Sequence, residues 1–332
     1  MKQTLPKLDL NVTNRCNFRC VHCAFDSGRT KMKELSLEKI REILENTKKL
    51  GGERIDITGG EPLVRKDVAE IIKIGKRSGY KIELVTNGSL LNKQKLALFK
   101  KLGLDSLAIS LDGSNYKTYS RIRKVKKSIY EKVLKNIKES LKQGFVVKIN
   151  TVVFKSNLKD LPNITEFCIK NKVKEHGIYY FTPVGSGSIS NEMAIEPVKW
   201  LSFIKKHLVK YQDKIKITLE FPLIGKGKLK GSIGCIANAE KYHLQILPDG
   251  NVFPCAILAS YNKPVANLHK VRIKDIWKNK KLWRRYWKEL SELFDRCGGY
   301  CVNFKAFKIK DYDLENYDFV CPLRKFFPKE VL

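Results

Sequence analysis

Acidic residues are scarce in this chain: across 332 residues, 34 Asp and Glu face 65 Lys and Arg, for a formal net charge of +31. Such an excess draws phosphates and acidic partners without saying anything about fold. Lysine enrichment of the thermophilic kind normally raises glutamate with it, and here the balance is lopsided. Long apolar runs are missing as well. Residues 1–10 hold no secretory core, and no later stretch is apolar enough to span a bilayer. The expectation is a cytoplasmic chain with no membrane partner, long enough for one large domain or two medium ones. In a reducing compartment its nine cysteines argue for metal or redox chemistry over a disulfide framework.

Three of those cysteines crowd the stretch Asn14-Arg15-Cys16-Asn17-Phe18-Arg19-Cys20-Val21-His22-Cys23. Thiolates are soft ligands, and an iron–sulfur cubane is normally held by four of them. Three in one loop bind three irons and leave the fourth open, and an open metal position is where chemistry occurs. The rival is a partial zinc site that recruits His22; otherwise His22 reads as a packing residue beside the ligands.

Around this loop strands and helices alternate. Residues 7–13 alternate apolar and polar side chains as a strand does and deliver the cysteine loop at their carboxyl end. Ser36 caps a helix carrying Leu37, Ile40, Ile43, Leu44 and Leu50, ended by Gly51-Gly52. A strand at 54–58 runs straight into Gly59-Gly60-Glu61-Pro62. The rhythm continues with a helix at 68–78, a strand at 81–86 ending in Asn87-Gly88, and a helix at 96–102. A strand at 106–111 ends in Asp112-Gly113, and Val133, Ile137 and Leu141 mark the next helix. A strand at 145–154, a helix at 161–169 and a strand at 177–181 close the series. Six βα repeats predict a parallel sheet with helices outside and an active face at the strands' carboxyl ends. Cys168 shares an apolar stripe with Ile164 and Phe167 and reads as core.

The candidate site residues stand at those strand ends. Gly59 and Gly60 let backbone come close to a ligand, and Glu61 offers an acceptor to a positively charged amine. Asn87 lies on the same rim, where an Asn-Gly pair equally reads as a turn.

The cysteine spacing and Gly59-Gly60-Glu61-Pro62, one strand–helix unit apart, together resemble the signatures of the radical S-adenosylmethionine (radical SAM) enzymes. The resemblance implies an α/β fold, a partial (β/α)6 TIM-like barrel. It implies that Cys16, Cys20 and Cys23 ligate a 4Fe–4S cluster whose open iron chelates S-adenosylmethionine. Reductive cleavage would then give a 5′-deoxyadenosyl radical that takes hydrogen from a substrate. By the same resemblance Gly59, Gly60, Glu61 and Pro62 serve the methionine amino group, and Ser110 and Asp112 face the ribose. Tyr119-Ser120-Arg121-Ile122-Arg123 occupies the place of a segment ending in a carboxylate-binding arginine, which makes Arg123 the counterpart. The usual His-Asp pair at its start is Tyr-Ser here. The basic run from Arg121 to Lys127 also reads as a solvated loop.

After Gly185-Ser186-Gly187-Ser188 the rhythm stops, and residues 197–208 read as a connecting helix. The last third holds Cys235, Cys255, Cys297, Cys301 and Cys321. Its succession of Gly250-Asn251-Val252-Phe253-Pro254-Cys255, Val265-Ala266-Asn267-Leu268 and Ile273-Lys274-Asp275-Ile276-Trp277 resembles the SPASM domain, the auxiliary-cluster extension of radical SAM maturases. Two cysteines of the full pattern are absent, with Lys288 and Ser291 in their region. Five thiols suffice for one auxiliary 4Fe–4S cluster and not for two. The expected ligands are Cys235, Cys255 and two of Cys297, Cys301 and Cys321, with zinc as the rival occupant. The spare cysteine either donates hydrogen to a substrate radical or packs. The expected organisation is a barrel at 1–190, a connecting helix and linker at 191–230, and a small α+β cysteine-rich auxiliary-cluster domain at 231–332.

Residues 270–288 interleave nine basic side chains with Trp277, Trp283, Tyr286 and Trp287. RNA and single-stranded DNA use such mixtures for stacking. The stretch reads better as an amphipathic helix with Trp283 and Trp287 buried and its basic face open to an acidic partner. The function expected from all this is a radical SAM enzyme acting on a peptide or protein, supplied with electrons by a donor such as ferredoxin or flavodoxin. One rival is the same chemistry on a small-molecule cofactor precursor or RNA, which the charge favours. The other is a non-enzymatic iron–sulfur or zinc protein that binds RNA or relays electrons, which leaves Gly59-Gly60-Glu61-Pro62 unexplained.

Overall fold

Period-2 alternation sorts the central sheet into an apolar face and a polar one. A computed structural model describes residues 5, 7–29, 31–181, 185–189, 194–195, 197–211, 213–220, 224–225, 243–254, 256–260, 262–293 and 317–318. In β1 (Lys7–Asn11), Leu8 and Leu10 are fully buried on one face while Lys7, Asp9 and Asn11 lie on the other. The pattern repeats in β2 (Arg54–Thr58), β3 (Lys81–Thr86), β4 (Ser106–Ser110), β5 (Val146–Val153) and β6 (Glu175–Tyr180). The apolar set forms one continuous core with helices α1 (Leu37–Lys48), α2 (Val68–Arg77), α3 (Lys93–Lys101), α4 (Tyr116–Arg123), α5 (Lys127–Lys142) and α6 (Leu161–Lys170). Ser36 caps α1 by accepting from Lys39 N, as its position before the apolar stripe requires.

Strands β1 to β6 pair in parallel and in sequence order. The sheet runs further than six repeats. Helix α7 (Pro197–Phe203) continues through a π turn at Ile204–Leu208 and a 3-10 turn at Val209–Tyr211 into β7 (Lys216–Glu220), a seventh strand parallel to β6. This βαβ unit lies in the stretch expected to be barrel end and linker; no glycine separates α7 and its turns from β7. A two-residue β8 (Ile224–Gly225) pairs elsewhere, with β12 (Tyr317–Asp318). On the opposite flank β9 (His243–Ile246) pairs in parallel with β1, and β10 (Asn251–Phe253) and β11 (Ala266–Asn267) follow antiparallel. The C-terminal third therefore continues the barrel's sheet. Helix α8 (Ala256–Ser260) follows β10. The edges β11 and β7 do not meet among the described residues, so the barrel is open.

A second difference is α4, where part of the basic run had the alternative reading of a loop. Asn115 caps it by accepting from Thr118 N, and Lys124 ends it in the left-handed region at φ 56°. In the C-terminal third, α9 (Ile273–Trp277) and α10 (Lys280–Leu293) bury Trp277, Trp283 and Tyr286. Trp283 Nε1 donates to Ile276 O at 3.0 Å, and Tyr286 Oη to Lys263 O at 3.0 Å. Those three aromatics are thus spent on packing, and the basic side chains of 270–288 are exposed; the Trp287 side chain, expected to be buried with Trp283, lies outside what is described. No described helix is long and apolar enough to cross a membrane.

The polar face of the sheet is a chain of ion pairs at the strands' amino ends. Lys7 meets Asp9 and Asp56 at 2.7 Å, and Arg54 bridges Asp56 and Glu83 at 2.7 Å. Lys148 reaches Glu83 at 2.6 Å, and Lys216 reaches Glu175 at 2.8 Å. Burial pushes the Glu175 carboxyl up, but hydrogen bonds from Lys216 and Thr218 and the nearby Lys148 charge outweigh it and hold it below its ordinary value. A depressed native pKa gives stability that is present above the ordinary carboxylate range and lost as pH falls through the depressed value. Glu175→Gln should therefore cost about 1–2 kcal/mol near neutral pH. In denaturant melts repeated at falling pH, the gap between variant and native should close below about pH 4.

Candidate active site

The cysteine loop leaves β1 and is fastened on three sides. On the β2 side, Val12 N donates to Thr58 O at 2.9 Å, Gly60 N to Thr13 O at 2.8 Å and Glu61 N to Arg15 O at 2.9 Å. A Cβ on Gly59 would stand 2.4 Å from Thr13 O, and one on Gly60 2.3 Å from Arg15 O. Gly59 also sits at φ +142°, in the region that favours glycine. What comes close to these glycines is the cysteine loop's own backbone, a use that the ligand-approach expectation did not include. On the β3 side, Asn87 Nδ2 donates to Asn17 Oδ1 at 2.9 Å, and Asn17 Nδ2 to Ser89 Oγ at 2.9 Å. Across the barrel mouth, Ser186 N donates to Cys23 O at 2.9 Å, while Ser186 Oγ bonds Asp26 and accepts from Arg29. Gly185 approaches Cys23 O and Ala24 O too closely for any Cβ. Within the loop, Gly28 N bonds Asn14 O at 2.7 Å, and Arg19 Nη1 donates to Cys16 O and Phe18 O at 2.9 Å.

These ties present three free thiols, Cys16, Cys20 and Cys23, with Cys20 the most buried. Each sulfur accepts one N–H: Cys16 from Phe18 N at 3.4 Å, Cys23 from Ser27 N at 3.2 Å, and Cys20 from Arg123 Nη1 at 3.7 Å. Burial pushes the Cys16 thiol up to about 12, against the Phe18 amide. Burial also raises Cys20, against the Arg123 charge. Thiolates so placed form when a metal displaces their protons. Among the described residues no three His, Cys, Asp or Glu side chains could grip a single ion. Three thiols on one loop fit three corners of a cubane, each already supplied with an N–H to its sulfur.

The remaining candidates gather around the loop at the strands' carboxyl ends. Glu61 is fully buried; its carboxylate accepts from Leu63 N at 3.1 Å, Thr86 Oγ1 at 2.7 Å and Asn87 N at 2.7 Å. Burial raises its pKa while those donors oppose the rise. This is the geometry of a staple between the ends of β2 and β3. Pro62 opens the short 3-10 turn Pro62–Val64 that Glu61 caps. Ser110 ends β4, half-buried on the polar face. Asp112 is fully buried, accepting from Arg123 Nε at 2.5 Å and Val152 N at 2.9 Å. Arg123 thus joins Asp112 to Cys20. His22 Nε2 lies 3.8 Å from the same Asp112 oxygen, its ring is 5.1 Å from Phe154, and its Nδ1 is buried without a hydrogen-bond partner. Burial lowers the His22 pKa to about 4 despite Asp112, so the ring is neutral at pH 7. Cys168 is buried in the core of α6, away from this group.

The sequence reading missed the Gly185-Ser186 fastening and the Asn17–Asn87–Ser89 link. The signal for the first was the small-residue run that begins at Gly185, a few residues past the end of β6. Phe25 also packs with Leu247, Phe253 and Ala259, so the loop touches the C-terminal third. Cys235, Cys255, Cys297, Cys301 and Cys321, expected to hold the auxiliary cluster, lie outside the described residues.

A parallel α/β barrel with three thiols on a strand-end loop has the build of a metal-cofactor enzyme. Comparison with known proteins gives the family. A sequence model of the Radical SAM superfamily matches residues 10–168, and one of the SPASM iron–sulfur cluster-binding domain matches 235–301. The AdoMet-dependent heme synthase of Methanosarcina barkeri is 26% identical over 315 residues, 86% of each chain. A probable GTP 3′,8-cyclase of Sulfurisphaera tokodaii is 32% identical over 217 residues, covering 65% of this chain and 67% of that protein. Streptococcus suis SuiB, in a crystal structure bound to precursor peptide SuiA, superposes with a TM-score of 0.72 at 18% identity, over 85% of this chain and 66% of that one. The chain belongs to the radical SAM superfamily and carries a SPASM segment. Its cofactors are a 4Fe–4S cluster and S-adenosylmethionine, with auxiliary iron–sulfur chemistry in the SPASM segment. Membership sets aside the non-enzymatic reading.

Gly60→Ala should be among the most damaging single-methyl additions in the chain, because backbone rather than a flexible side chain is in the way. A loss of about 3 kcal/mol is expected in thermal or denaturant melts. Gly79→Ala sits at positive φ, unlike Gly60, but meets only the tip of Lys48, and should cost about 1 kcal/mol.

Proposed function

We propose that Cys16, Cys20 and Cys23 hold the cluster that engages S-adenosylmethionine, and that the substrate is a peptide or protein. The observation that carries the first part is the set of three thiols on one loop at the barrel's active rim, each sulfur already hydrogen-bonded. Held by these three thiols, such a cluster would supply the one electron that S-adenosylmethionine needs for reductive cleavage, the start of radical chemistry on the substrate. The chain's own residues place that cofactor and limit water. Gly59, Gly60 and Pro62 shape the rim beside the loop, Asn87 and Ser110 offer neutral polar groups on it, and Asp112 and Arg123 form its charged pair. Glu61 serves from behind, by fixing Asn87.

The peptide assignment is supported by fold-level likeness to SuiB, an analogy about substrate, and by the polar face of the sheet. There Lys7, Arg54 and Lys148 are each matched to carboxylates, and the layer above them offers the neutral Thr58, Ser110 and Asn150. A face of that kind suits an uncharged peptide segment better than a triphosphate. The heme synthase and the GTP cyclase support the second reading, a cofactor precursor as substrate. An external one-electron donor of the ferredoxin or flavodoxin kind completes either one.

Anaerobically reconstituted protein given dithionite and S-adenosylmethionine should form 5′-deoxyadenosine, read by mass spectrometry. Cys20→Ala should lower the rate by at least about a hundredfold, or about 2.7 kcal/mol, while keeping the iron of the C-terminal third. Retained activity in that variant would overturn the ligand assignment. A candidate precursor peptide encoded beside the gene should stimulate turnover; stimulation by GTP or a porphyrin and by no peptide would overturn the substrate assignment.

A further inference from the structure

We propose that Arg123, clamped by Asp112, sets the reduction potential of the iron–sulfur cluster through its hydrogen bond to Cys20. The inference rests on the reading that Cys16, Cys20 and Cys23 hold that cluster, and it makes Arg123 a positioning residue for charge.

The three sulfurs are not equivalent. Cys16 and Cys23 accept from neutral backbone amides of their own loop, Phe18 and Ser27. Cys20 accepts from a guanidinium 103 positions away in sequence, carried at the end of α4. A charged donor makes the stronger hydrogen bond, and its field reaches the sulfur through a low-dielectric site. Cys20 is also the most buried of the three, where an uncompensated thiolate costs most.

A buried guanidinium persists only when paired and hydrogen-bonded. Asp112 supplies the pair, and the Val152 amide holds its second oxygen, so the carboxylate cannot swing away without losing that bond. Arginine keeps its proton throughout. The local field is therefore one cation touching the sulfur with one anion behind it.

Reduction adds one electron, delivered by the external donor, and makes the cluster more negative. No bond to Arg123 forms or breaks, and no proton leaves it. A cation against the ligating sulfur stabilises the reduced state, and the carboxylate behind it trims that effect, as hydrogen bonds and charges around such clusters generally do. The two residues should move the potential in opposite directions. The guanidinium has further N–H groups, so this role is compatible with contact to the cofactor's carboxylate; the potential of the cofactor-free cluster separates the two.

The test is a redox titration followed by electron paramagnetic resonance, without S-adenosylmethionine, on the cluster whose signal changes when the cofactor is later added. Arg123→Gln should lower the reduced-to-oxidised ratio at fixed potential about tenfold, a fall of about 59 mV for one electron. Asp112→Asn should raise that ratio several-fold, and Arg123→Lys should recover most of the native value. A ratio within about twofold of native for Arg123→Gln, or shifts of the same sign in both variants, would overturn the inference. If Arg123→Gln loses its iron, Asp112→Asn decides alone, and the absence of a rise sinks the idea. Native protein with no cofactor-responsive cluster would instead overturn the ligand assignment, and this inference with it.

Discussion

Two backbone contacts too tight for a methyl group set the rest of the site. Where the loop after β1 crosses the end of β2, the carbonyls of Thr13 and Arg15 lie against Gly59 and Gly60. The next amides, of Gly60 and Glu61, donate to those same carbonyls and carry β-type pairing past the end of the sheet. Because the chain there is fixed, Cys16 begins its loop at a set height above the barrel. Glu61, turned inward one residue later, reaches the end of β3 and fixes Asn87, which returns to the loop through Asn17. The contact thus closes a circuit from cysteine loop to strand end and back. Each link is a hydrogen bond of modest net value, but buried polar groups in such a circuit are costly to strand, so the members hold or fail together.

A chain poor in acid spends much of it indoors. Asp9, Asp56, Glu83 and Glu175 pair with cations on the polar face of the sheet, and Asp112 is fully buried beside the cysteines. Asp160 accepts from Ser114 N at 2.7 Å and from the Ser114 hydroxyl, tying the loop after β4 to the start of α6. The first five are withdrawn together with the cations that pair them, so the excess of positive charge is left to the exterior. The basic helical face at 270–288, with its nine exposed Lys and Arg side chains, is one dense part of that surface. With Trp277, Trp283 and Tyr286 turned inward, its attraction for a partner is electrostatic and screened by salt.

Much of this was legible from residue order. Period-2 strands punctuated by glycine turns gave β1 to β6 with ends correct to a few residues, because helix-facing positions such as Leu8, Ile55 and Leu107 must be apolar. The cysteine spacing placed the loop at the correct strand end. Chemistry set by tertiary approach was harder to read. Glu61 shows why: its sequence neighbours say only that a carboxylate follows two glycines, whereas three donors, two of them from the end of β3, decide that it faces inward. α4 carries so many basic residues that its apolar stripe, Tyr119 and Ile122, is thin. β7 follows a helix that ends through π and 3-10 turns, with no glycine to announce the strand. The fastening by Gly185 and Ser186 joins residues more than 150 apart, beyond what local pattern encodes.

The same long-range closure bears on how the two parts of the chain work together. A cluster domain attached by a flexible linker would exchange only electrons with the barrel. Here β9 lies directly against β1, in register from Lys7–His243 to Leu10–Ile246, and β1 is the strand that delivers the cysteine loop. Leu35 N donates to Pro248 O at 2.8 Å, and Phe25, two residues past Cys23, packs with Leu247 and Phe253. A change in the β9–β10 turn is therefore felt at the loop through one hydrogen-bonded ladder and one apolar cluster, both rigid on the scale of side-chain packing. Mechanical coupling of this kind requires no conformational switch. It follows from building the loop's supporting strand into a sheet whose next strand belongs to the C-terminal third.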